Sequence, residues 1–245
     1  MKKRILTISL ILSFLALCIS GALFYLDIQE NASADAALKE INEMKPELPE
    51  KLGQGDDSKP RPLMDFTGVK SKNSDIIAWL TIPGTVIDYP VVQGKDNSYY
   101  LSRDAKKNKN SNGALFLDYR VHADFSDFNS VIYGHHMKSG MQFQNLIKFK
   151  ERVFWDSHPS AGLYTPTNTY RLEIIAVAVV RQNSPLYGYV FSSPAERKAH
   201  LDEIKSAAKF YRDVGVTEND RIVTLSTCSY EFNNARTVLI AKLCG

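Results

Sequence analysis

An uncharged stretch at residues 5–26, ILTISLILSFLALCISGALFYL, constrains this 245-residue chain more than any other feature. At about 1.5 Å per helical residue its 22 residues reach roughly 33 Å, enough to cross a bilayer core of about 30 Å. Lys2, Lys3 and Arg4 precede it, and basic residues at that position keep the N-terminus cytoplasmic and send the rest of the chain outside. A cleaved signal peptide is the competing reading, because NASADA offers small residues at A-x-A spacing. Signal-peptide apolar cores run to only about 7–15 residues, so the sequence predicts a retained anchor.

The remainder divides in two. Residues 27–65 are polar and carry Pro46, Pro49, Pro60 and Pro62; ADAALKEINEMK within them suits a short helix, and the rest reads as a linker. Residues 66–245 form the expected folded domain. A net charge of +3 and the lack of an arginine stripe or RNA-binding aromatic motif exclude a nucleic-acid partner. The short basic run Lys106, Lys107, Lys109 reads as a solvated loop.

Strand signals dominate that domain. IIAWLTIPG, TVIDYPVVQ, GALFLD, SVIYGHH, AGLY, TYRLEIIAVAVV, RIVTLSTC and RTVLIAKLC are β-branched or aromatic runs separated by turn residues, and TPTN marks a hairpin. About eight short strands predict a mostly β fold, a barrel or sandwich decorated with helices. The main helix falls at about 194–212. Ser193, Pro194 and Glu196 make a capping signature, and Leu201, Ile204, Ala208 and Tyr211 make an apolar stripe. A weaker helical signal covers 142–149.

Three cysteines are present: Cys18, Cys228 and Cys244. Cys18 lies in the apolar stretch. If 221–228 and 236–244 pair as a hairpin, Cys228 lies near Arg236 and Cys244 lies opposite the start of the first strand. Eight residues at about 3.3 Å each then separate the two sulfurs by roughly 25 Å, whereas a disulfide needs Cα atoms within about 7 Å. Cys228 is therefore expected as a free thiol. Alternation puts Ile222, Thr224, Ser226 and Cys228 on one face that grows polar toward its end. This strand alone does not separate a nucleophile from a buried structural cysteine.

A thiol becomes a useful nucleophile when a base or cation favours its thiolate, and histidine is the usual partner. His200 falls on the helix and is expected to be solvated, His158 in a polar turn, and His122 beside acidic residues. In NSVIYGHHMKSG an apolar strand ends in Gly134 and two histidines, His135 and His136, of which at most one can meet the thiol. No further ligands stand at metal-binding spacing, so no metal is expected. Arg236 opens the next strand, where a fixed fork of donors suits a peptide backbone or an oxyanion.

Taken together, YGHHM, TLSTC and the following arginine, downstream of an apolar N-terminal segment, resemble the sortases, membrane-anchored cysteine transpeptidases of Gram-positive bacteria. DIIAWLTIPGTVIDYPVVQGKDNSYYL, GALFLD and the long helix before the cysteine strand resemble class B in particular, over about residues 70–245. The resemblance implies an eight-stranded β-barrel with an N-terminal helical extension. It implies Cys228 as nucleophile, His135 as proton donor and acceptor, and Arg236 as anchor for substrate and oxyanion. Ser226, Asn97, Leu101 and Tyr189 match substrate-binding positions. No cofactor is implied. The partners would be surface proteins bearing a sorting motif and an amino group of the peptidoglycan cross-bridge, or a pilin lysine. Some class B members place a carboxylate within a position or two of the cysteine, whereas here Ser229 and Tyr230 intervene before Glu231. A secreted cysteine peptidase and a non-catalytic anchored binding module are the alternatives.

Overall fold

Each of the eight strand signals becomes a strand, and the eight close on one another. The computed structural model describes residues 2–47, 64–137 and 140–245. In chain order the strands are β1 (Ile76–Thr81), β2 (Asp88–Val92), β3 (Leu115–Leu117), β4 (Asn129–Tyr133), β5 (Ser160–Tyr164), β6 (Thr169–Arg181), β7 (Phe210–Tyr211), β8 (Arg221–Cys228) and β9 (Ala235–Cys244). They hydrogen-bond in the order β5-β1-β2-β3-β4-β8-β9-β6, and a β5–β6 pairing closes the ring. The two-residue β7 hangs on the outside of β6. Two pairs are parallel, β2 with β3 and β4 with β8; the others are antiparallel. Closure leaves no unpaired sheet edge around the ring.

Alternation sorts the side chains into layers. Leu80, Val91, Leu115, Ile132, Val223 and Leu225 fill the barrel interior. Outward neighbours on β6, β8 and β9, such as Ile175, Ile222 and Ile240, pack beneath helix α4 (Pro194–Ala207) with Leu201 and Ile204. The TPTN turn joins β5 to β6 as the sequence predicts, closed by Thr165 N–H donating to the Asn168 carbonyl at 2.8 Å. The 142–149 signal becomes a 3-10 segment, Phe143–Lys150, followed by the short helix α3 (Arg152–Ser157).

Two helical expectations change. Helix α4 ends at Ala207 rather than 212, and Tyr211 pairs with Ala176 in β7 instead of extending the stripe. His200 is buried, not solvated: it sits between the rings of Phe128 and Phe191. Both aromatics are remote in sequence, so the charged residues flanking His200 on α4 gave no sign of the pocket.

The apolar N-terminal stretch belongs to one helix, α1 (Lys2–Asn42), which runs well past the 5–26 segment. Its first part is exposed and is long and apolar enough to cross a membrane. Its last part docks on the barrel: Ala37 and Ile41 are buried, and Ile41 clusters with Val69, Trp79 and Tyr100, among others. A second helix, α2 (Thr67–Lys72), completes that cluster through Phe66 and Val69. Most of the proline-marked linker, at 48–63, lies outside the described residues.

Two measurements test these packing assignments. Burial pushes the His200 imidazole down to about 4 from 6.5. The unfolded chain therefore binds this proton first, and stability is full above about pH 6.5 and falls on descent toward 4, by up to about 3 kcal/mol. Urea titrations of the wild type and His200→Phe across that window are expected to show a flatter pH slope in the variant. Ile41→Ala is expected to cost about 2–4 kcal/mol by removing a buried side chain at the helix–barrel contact, read from the denaturation midpoint.

Candidate active site

The β8–β9 hairpin sets the first two groups. Cys228 and Arg236 are directly paired across it. β4 runs parallel to β8 with Tyr133 level with Ser226, and Gly134 N–H extends the ladder by donating to the Ser226 carbonyl at 3.1 Å. His135 thus emerges beside the end of β8. A Cβ at position 134 would come within 2.7 Å of Phe143 Cδ2, so only glycine lets β4 carry its histidine over this core ring.

The side chains of His135, Cys228 and Arg236 share one cleft of about 270 Å³ with Ser226, Asn97 and Leu101. The same cleft is walled by Phe116, Tyr133, Gln182 and Tyr187. Tyr189 is not among its lining residues; its ring lies 3.9 Å from the Arg120 guanidinium. Tyr187 occupies the groove instead, and its hydroxyl meets Ser226 Oγ at 2.8 Å. Burial raises the Tyr187 phenol above its usual value, with Arg236 opposing and Cys228 adding to the shift. Cys228 forms no disulfide and is half-buried.

The two histidines divide their work. His135 Nε2 lies 2.9 Å from the Leu101 carbonyl, which can only accept. That fixes the proton on Nε2 and leaves Nδ1 as the acceptor of the neutral ring. His136 points its Nδ1 at the Cys228 carbonyl, 3.0 Å away, and lies 5.2 Å from the Tyr230 ring. It secures the end of β8 rather than the sulfur. Glu231 is taken by Lys150: burial opposes its ionisation, but the Lys150 ammonium helps hold the carboxyl down at about 2. The contact at His135 Nε2 is thus a backbone carbonyl, and Glu231 is paired with Lys150.

Two buried polar side chains that the sequence pattern does not single out hold the cleft walls. Asp118, only 1% exposed, accepts from Arg120 through Nε and a terminal nitrogen, from Asn97 Nδ2 at 2.9 Å and from Tyr133 Oη at 3.0 Å. Burial works against its charge, but these donors outweigh it and keep the carboxyl below the usual range. Asn129 is fully buried; its amide donates to the carbonyls of Leu186 and Gly188, on either side of Tyr187, and accepts from Thr224 Oγ1 at 2.9 Å. The acidic end of GALFLD was the one available signal for Asp118; for Asn129 there was none.

Comparison with known proteins places this geometry. A family model described as the sortase domain matches residues 80–244. The sortase B of Listeria monocytogenes is 37% identical over 181 residues, covering 73% of this chain and 74% of the relative. That of Staphylococcus aureus is 30% identical over 180 residues, with the same shares covered. The solved structure of Clostridium perfringens sortase B aligns with a TM-score of 0.71 at 34% identity, covering 74% of this chain and all of that one. Sortase B from Bacillus anthracis, solved in complex with AAEK1, gives 0.75 at 31% identity and covers 90% of this chain and 99% of that one. The chain belongs to the sortase family of cysteine transpeptidases, and within it to class B.

Removing either wall anchor is expected to register at the cleft. Asp118→Asn leaves Arg120 without its charged partner and weakens the hold on Asn97 and Tyr133, at a cost of about 2 kcal/mol. The carboxylate's contribution is present above about pH 4 and is lost as pH falls through its depressed value. Urea midpoints at pH 7 and pH 3 are expected to differ less in Asp118→Asn than in the wild type.

Proposed function

We propose that Cys228 is the nucleophile of a sorting reaction at the cell surface, with His135 and Arg236 as its partners. The observation that carries this is the meeting of the three side chains in one cleft, with Cys228 and Arg236 paired across the hairpin. The Cys228 thiolate attacks the carbonyl of a threonine in the sorting motif. The Arg236 fork stabilises the resulting oxyanion. The peptide C–N bond then breaks as imidazolium at His135 protonates the leaving amine, which gives a thioester on Cys228. An incoming amine attacks that thioester and loses its proton to His135, so the thiolate and imidazolium are regenerated.

Ser226, Asn97, Leu101 and Tyr187 contact the motif, with Tyr189 supporting the wall through Arg120. The donors are surface proteins bearing the motif, and the acceptor is an amino group of the peptidoglycan cross-bridge. Polymerisation of pilin subunits through a lysine uses the same chemistry and differs only in the acceptor. Residues 5–26 anchor the chain with its N-terminus cytoplasmic and the barrel outside.

The test uses residues 28–245 with NPxTN-like and xPxTG-like peptides, hydroxylamine, and mass detection of intact protein and products. A thioacyl adduct on Cys228, resolved to a hydroxamate after threonine, is expected with one motif class. Cys228→Ala is expected to lose more than about 10³-fold in rate, and Arg236→Lys, which keeps charge but loses the fork, about 10²-fold. An unreactive Cys228 in a folded protein, with no adduct from any peptide, would point to a binding module instead.

A further inference from the structure

Gln142 occupies a backbone conformation that a side chain rarely accepts. Its φ of 51° and ψ of −128° suit glycine, yet a glutamine only 5% exposed stands there. Strain of that kind persists where the surrounding contacts over-determine it. Here every polar atom of the side chain is used. Oε1 accepts from the His135 main-chain N–H at 3.1 Å. The two Nε2 hydrogens go to the carbonyls of Asn112 and of Gly113, the latter at 2.9 Å. The opposite orientation would aim the amide oxygen at two carbonyls and its nitrogen at an N–H, so the contacts themselves assign it. The Gln142 main-chain N–H donates to Tyr89 Oη at 3.1 Å, which ties the residue to β2.

The segments joined by this side chain are the ones that hold the His135 ring. Both main-chain polar groups of His135 end on the 142–143 pair: its N–H on Gln142 Oε1, and its carbonyl on Phe143 N–H at 3.2 Å. At the far end of the residue, ring Nε2 meets the Leu101 carbonyl. Gly113 backs both partners of that contact. A Cβ there would come 2.9 Å from His135 Cδ2 and 3.0 Å from the Leu101 oxygen, and its φ of 61° also favours glycine. Ala114 N–H donates to the Tyr100 carbonyl at 3.1 Å, so the 112–114 strip is bonded to the segment that carries Leu101. The spacing between the His135 backbone and its ring acceptor is thereby set through one glutamine amide.

We propose that Gln142 is a positioning residue for the reaction at Cys228: its amide locks the His135 backbone and the 112–113 strip into one frame, so that Nε2 stays on the Leu101 carbonyl and Nδ1 stays the acceptor. This rests on reading His135 as the acid–base group of the sorting reaction. Gln142 is not among the residues that line the cleft. Its loss therefore changes the fraction of rings in the productive tautomer and orientation, which enters the chemical step and leaves peptide binding alone.

Two variants test this. Gln142→Met keeps the bulk and removes both polar ends, whereas Gln142→Gly removes the side chain and relieves the backbone, which guards against loss of the fold. The full chain in detergent is assayed with NPxTN-like and xPxTG-like peptides and hydroxylamine, with rates taken per folded molecule. Both variants are expected to lose about 10–100-fold in kcat with KM within about twofold of the wild type. Spectra of 15N-histidine, assigned with His135→Asn, are recorded in the Cys228→Ala background at about pH 8.5, where imidazole is neutral. They are expected to show the Nε2-protonated tautomer with Gln142 in place and a mixture of tautomers in both variants. A purely structural Gln142 would lower the urea midpoint and leave the tautomer and kcat as they were. That outcome, in an active wild type, overturns the positioning role and leaves the sorting reading standing. A wild type that forms no thioester with either peptide overturns the sorting reading, and the role of Gln142 with it.

Discussion

The register between β4, β8 and β9 is the constraint on which the cleft depends. A one-residue slip of β8 would turn Cys228 into the barrel and put Thr227 in the groove, because side chains alternate. The slip is opposed by the interior set Val223 and Leu225, which would be driven outward, and by Ile222, which would leave its place under α4. Hydrophobic burial on both faces of β8 thus fixes which side chain meets Arg236. The same argument applies to β4, whose parallel pairing with β8 delivers His135 at the level of the thiol.

Register places the strand-borne groups, but two of the cleft's walls come from loops, and buried polar side chains hold these. Asp118 reaches Asn97 and Tyr133, and Asn129 grips the backbone on both sides of Tyr187. In a low-dielectric site each satisfied hydrogen bond is strengthened, and each lost one leaves a costly orphan. Such anchors tie the groove's shape to the integrity of the barrel. They give loops 95–105 and 183–192 defined positions even though neither contains a regular strand.

What the sequence made legible follows the same division. β-branched and aromatic runs between turn residues located all eight barrel strands, and counting residues along the hairpin put Cys228 opposite Arg236. Choosing between His135 and His136 needed the family resemblance, because both orientations off the strand end are open until Gly134 and Gln142 fix the backbone. The resemblance singled out Tyr189, whereas Tyr187 is the tyrosine of loop 183–192 that lines the cleft. Positions 187 and 189 lie in an irregular loop, where no periodicity says which ring turns inward, and the deciding contact is Asn129, 59 residues from Gly188 in sequence. The buried His200 escaped for a related reason: its pocket is built by Phe128 and Phe191, neither of them on α4.

The carbonyl of Leu101 has a further consequence for the proposed reaction. A carboxylate at Nε2 would stabilise imidazolium with a full charge, whereas a carbonyl offers only a dipole. The cation formed at His135 then depends more heavily on the Cys228 thiolate and on whatever negative charge develops on the substrate, both of which change through the catalytic cycle. Leu101 also lines the groove, in the same segment as Asn97. Under the proposed function, a motif bound against Leu101 would meet the same stretch of backbone whose carbonyl orients the imidazole. Asp118, by fixing Asn97, limits how far that stretch can yield.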